Sequence, residues 1–85
     1  MLARILTENV NYQDVVQLVS EIFDGATLIK ADGLWHSKIE HSLVIEILVD
    51  HNQLSDVERL AYNIKKHNKQ DAVLVQYVEC QSKMI

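Results

Sequence analysis

The run Ser42-Leu43-Val44-Ile45-Glu46-Ile47-Leu48-Val49 constrains this chain more than any other segment. It is rich in β-branched residues and almost continuously apolar, which marks a β-strand, and Asp50-His51-Asn52 breaks it. Its alternation is not clean. If Leu43, Ile45, Ile47 and Val49 turn toward a core, Val44 and Leu48 turn the other way beside Glu46.

The rest of the chain supplies its partners. Residues 2–7 read as a short first strand. Asn11 is placed to cap a helix, with Asp14 three residues on, and Tyr12, Val15, Val16, Val19, Ile22 and Phe23 recur at helical spacing. Asp24-Gly25 reads as the end of that helix, with glycine taking the left-handed position. Residues 26–31 read as a second strand and Asp32-Gly33 as a turn. The stretch from Leu34 to Glu40 admits two readings, a return strand or an extension of the second strand past a bulge. Ser55 and Glu58 form a capping box for a second helix, whose buried stripe is Val57, Leu60, Ala61 and Ile64. Residues 72–79 read as the last strand.

Strand, helix, strand, strand, helix, strand is the order of an α+β, ferredoxin-like βαββαβ sandwich. With right-handed crossovers it folds into a four-stranded antiparallel sheet with two helices on one face. At 85 residues the chain has room for a single such domain, spanning 1–85.

Two helices cover one face of a sheet, so the other should be polar. Here it is not. Val44 and Leu48 of the third predicted strand share it with Leu74 and Val78 of the last, and the first strand adds apolar residues whichever way it turns. A patch of that kind marks an interface, so Val44, Leu48, Leu74 and Val78 are expected to join copies into a dimer or trimer.

Composition narrows the function. The net charge of −4 lacks the basic face a nucleic-acid partner would need, because Lys65-Lys66-His67-Asn68-Lys69 sits where cations complement a helix C-terminus. No apolar run is long enough for a membrane span. One cysteine, Cys80, fits a reducing compartment, and Met1-Leu2-Ala3-Arg4 lacks a signal peptide's apolar core. A cytoplasmic protein is expected.

Chemistry-bearing motifs are sparse. His36, His41 and Glu40 bracket a turn, yet they do not supply three converging ligands, so no metal site and no cofactor are expected. Acidic Glu79 beside Cys80 disfavours a thiolate. Glu46 lies within an apolar strand and is either a carboxylate partnered by Arg4 or a residue of the open face. Glycine-rich phosphate loops are absent. Trp35, following a turn, is a candidate for stacking on a ligand or plugging a subunit seam.

Asp32-Gly33-Leu34-Trp35, then Glu40-His41-Ser42, then Gln70-Asp71-Ala72-Val73-Leu74 resemble a small uncharacterised ferredoxin-like family of bacterial and phage proteins, over residues 32–75. Trp35, Lys38-Ile39-Glu40 and the end of the second helix are also similar to CutA-type and PII-like trimers, although the CutA cysteine and proline signatures and the long PII nucleotide loop are missing. The resemblance implies this architecture and a ligand site between subunits.

The expected function is a non-enzymatic, oligomeric binding module. A small anionic or nucleotide-like ligand, or a regulatory partner, would sit in an inter-subunit cleft lined by Trp35, His36, Glu40, Ser42 and Gln70. The alternative is an interaction or inhibitor protein, phage-encoded, acting on a host factor. A third reading, an enzyme with an acid–base pair among Glu40, Glu46 and the histidines, has no motif behind it.

Overall fold

In a computed structural model describing Met1–Ile85, the first strand, β1 (Leu2–Glu8), alternates strictly between two environments. Ala3, Ile5 and Thr7 are buried, while Leu2, Arg4 and Leu6 stay partly open. The buried set meets helix α1 (Tyr12–Ser20) through Val15 and Val19, and helix α2 (Leu54–Asn68) through Val57, Leu60, Ala61 and Ile64. Strand β3 (Lys38–Leu48) adds Leu43, Ile45 and Ile47 to the same core. The chain is completed by β2 (Thr27–Trp35), a short 3-10 turn (His51–Gln53) and β4 (Leu74–Val78).

The four strands form one sheet in the order β2-β3-β1-β4, and every neighbouring pair is antiparallel. With both helices packed against one face, this is the ferredoxin-like α+β architecture implied by the order of the elements. No helix is long and apolar enough to cross a membrane.

Register defines the opposite, helix-free face. Leu74, Leu6, Val44 and Ile29 form one cross-sheet row, and Gln76, Arg4, Glu46 and Thr27 form the next. Val78, Leu2 and Leu48 form a third. All four predicted interface residues therefore lie on this face, but unequally. Leu48, Leu74 and Val78 are exposed, whereas Val44, flanked by Leu6 and Ile29, is only 9% exposed. Glu46 takes its open-face position, with Oε2 3.2 Å from Arg4 Nε.

Four local expectations fail for physical reasons. Asp32-Gly33 is not a turn. β2 runs straight through it to Trp35, no glycine has positive φ, and the reversal falls at His36 (φ 50) and Ser37 (φ 62). Two adjacent left-handed residues match the right-handed twist of the flanking strands, and turns of that kind usually carry Asn-Gly. Gly25 does not cap α1. The helix closes instead through the bonds Glu21 N–H to Gln17 O and Phe23 N–H to Val19 O, which bury Phe23.

Asn11 adopts a left-handed conformation and makes no side-chain cap; its amide instead donates to Asn68 Oδ1 at 3.0 Å, tying α1 to α2. The Ser55–Glu58 capping box does not form either. The box lies one turn earlier, where Gln53 accepts from the Asp50 backbone N–H at 2.9 Å, because the 3-10 turn leads straight into α2.

A candidate ligand cleft at the end of the open face

The β2–β3 hairpin outruns the sheet. β1 ends at Glu8 opposite Ser42 and Asn9 N–H still bonds to His41 O at 3.0 Å, but the pairs Gly33–Glu40, Leu34–Ile39 and Trp35–Lys38 have no third strand beside them. They form an arm of roughly 10 Å, at about 3.4 Å per residue. Trp35, Lys38, Glu40 and Ser42 share its open-face side by the register of the ladder.

The other wall comes from the end of α2. Lys69 is left-handed there (φ 53), Gln70 N–H bonds to Lys65 O at 3.0 Å, and Lys69 N–H bonds to Lys66 O at 3.3 Å. These two bonds make a Schellman turn, with lysine where glycine is usual. The turn delivers Gln70 to the end of β1, where its Oε1 accepts from the Thr7 hydroxyl. Asn68 Nδ2 also lies 3.4 Å from the same oxygen. Gln70 is thus held by two elements.

Between these walls lies an open cleft of about 480 Å³. Its size falls within the range of small-molecule sites. Four of the five residues expected to bind ligand, Trp35, Glu40, Ser42 and Gln70, line it. His36 does not; it occupies the turn, with its ring edge-on to Trp35 at 4.7 Å between centroids. Leu6, Glu8, Gly33, Asp71 and Leu74 are additional lining residues. None of them was expected to bind ligand, although Gly33, Asp71 and Leu74 fall within the segments that carried the family resemblance and Leu74 was expected at an interface.

Gly33 shapes the floor. A Cβ built there would stand 2.6 Å from Ser42 Oγ, so a larger residue would have to displace that hydroxyl. Charge shapes the rest. Glu8, Glu40 and Asp71 face the cleft, and no lysine or arginine lines it. That balance runs against the anionic ligand expected from the sequence, because carboxylates repel one at close range.

The remaining histidines lie apart. His41 Nδ1 is 3.5 Å from Asp32 Oδ1 on the far side of the hairpin, and His67 Nε2 is 2.9 Å from Asp14 Oδ2 between the helices. Nowhere do three or more His, Cys, Asp or Glu side chains converge as metal ligands. Cys80 is exposed beyond β4.

The helix-covered sheet and its open face define a ferredoxin-like α+β protein. No family model and no curated protein matches the sequence. Solved structures do match the fold. A DUF3240 family protein from Shewanella baltica superposes with a TM-score of 0.72 at 16% identity, covering 99% of this chain and 94% of that one. A phage SAM lyase in its apo state gives 0.67 at 21% identity, over 87% and 75% of the two chains. A nitrogen regulatory PII-like protein from Thiomonas intermedia, bound to ADP, AMP and bicarbonate, gives 0.65 at 12% identity, over 98% and 93%. At these identities the likeness is one of fold.

Proposed function

We propose that this chain is a non-enzymatic, oligomeric binding module of the cytoplasm, a single domain over residues 1–85, whose copies associate through the open sheet face. A small ring-bearing ligand of nucleoside type would rest against Trp35, with Glu40, Ser42 and Gln70 supplying polar contacts. One observation carries the reading: the cleft opens at the end of the apolar face, so association and binding share a boundary. The PII-like neighbour holding nucleotides, and the phage lyase named for S-adenosylmethionine, make adenine compounds sensible probes. The three carboxylates favour a neutral or cationic ligand over a polyanion.

Native mass spectrometry of the protein from its expression host tests both halves. A dimer or trimer is expected, and Leu48→Glu should shift it to monomer. Calorimetry with adenosine, S-adenosylmethionine and ADP should rank ADP last. A wild-type monomer at high micromolar concentration would overturn the oligomeric reading. If that monomer also ignored all three probes, the interaction or inhibitor reading would lead, supported by the apolar residues Leu34 and Ile39 on the arm's outer side.

A further inference from the structure

The arm is under-supported as a monomer's feature. Two-stranded ribbons are marginal in water, and this one turns through two left-handed non-glycine residues. Its apolar side chains nonetheless stand in solvent: Leu34 is 75%, Trp35 64% and Ile39 72% exposed. Charge is unbalanced in the same region. The cleft gathers Glu8, Glu40 and Asp71 with no cation, whereas Lys38, at the arm's tip, takes part in none of the chain's ion pairs.

We propose that the β2–β3 arm of one copy packs across the cleft of a second copy, setting Lys38 against the carboxylates of Glu8 and Asp71. This rests on the oligomeric reading above and deepens it: the partner copy contributes a residue to the site, and each cleft is incomplete without it. Three features select a second copy as the occupant. The cationic tip and the acidic cleft are complementary and are carried by the same chain. Trp35 continues the open-face apolar surface outward, so one contact covers both. Trp35 and the exposed Leu48, Leu74 and Val78 lie on one side of the sheet, so they give that contact an apolar centre.

Charge exchange tests the contact. Sedimentation velocity would be run on the wild type, Lys38→Glu, Asp71→Lys and the double variant, with thermal melts to check folding; both positions are exposed, so the fold should persist. Each single substitution should raise the association Kd about tenfold, and the double should return it to within about threefold of wild type. An oligomer that Leu48→Glu dissociates but neither single charge change weakens would overturn the arm contact and leave the open-face interface standing. Single losses without recovery in the double would overturn the pairing of Lys38 with Asp71. A monomeric wild type would overturn both.

Discussion

Gly33 and Ser42 are diagonal neighbours in the β2–β3 ladder, so close that a methyl group on Gly33 would stand 2.6 Å from Ser42 Oγ. Gly33 has no positive φ, so it is there for space and not for backbone freedom. Gly33→Ala should lower stability by about 1 kcal/mol, an overpacking cost. In a Ser42→Ala background the same change should be neutral, because the obstructing hydroxyl is gone. Urea denaturation of the four proteins measures the difference, and equal costs in both backgrounds would refute the steric explanation.

The turn at His36-Ser37 holds two non-glycine residues in the left-handed region. Replacing His36→Asn together with Ser37→Gly supplies the residues such a hairpin prefers and should stabilise the protein by about 1 kcal/mol. For a domain of this size that is a rise of about 4–8 °C in Tm. An unchanged Tm, with arm amides exchanging faster than the sheet, would instead show that the arm opens independently of the core.

Tyr77 links β4 to α2. Its hydroxyl donates to Glu58 Oε2 at 3.2 Å, and burial first, then the Glu58 charge and that hydrogen bond, raise its pKa above the ordinary 10.0. The folded state thus holds the phenolic proton more tightly than the unfolded chain does. This contribution is full below the unfolded pKa and is lost as pH climbs through the raised folded value. Stability should fall above about pH 10 in the wild type. Tyr77→Phe, unable to ionise, should lose less over the same interval, as urea midpoints taken across it will show.

Leu60 and Leu48 separate the two sides of the sheet. Leu60, fully buried under the helices, should cost about 2–5 kcal/mol when changed to Ala. Leu48 is 59% exposed, so Leu48→Ala should cost far less in dilute, dissociated protein. A comparable loss at both positions would mean that the open face is packed even in the monomer.

Element order was legible because periodicity survives burial. The spacing of Val57, Leu60, Ala61 and Ile64 marks α2, and the alternation of Leu43, Ile45 and Ile47 marks the core side of β3. Element ends were less legible. Asp32-Gly33 reads as a turn, but pairing with His41 and Glu40 holds it in a strand, since ladder hydrogen bonds outweigh a local turn preference. Asn11 reads as a cap, yet a partner 57 residues away, Asn68, takes its side chain. Within the cleft, Trp35, Glu40, Ser42 and Gln70 were found as candidates; Glu8 and Gly33 became visible as lining only once the chain ends of β1 and the arm were brought together.

The sequence by itself determined the apolar stripe of α2, the core side of β3 and the order in which strands and helices follow, because these depend on local spacing of apolar side chains. Only the tertiary structure decided where the hairpin reverses, how far the arm extends, and that Glu8, Glu40 and Asp71 line one cleft with Trp35. Those features depend on contacts between residues distant along the chain, such as Thr7 with Gln70, and no local pattern encodes them.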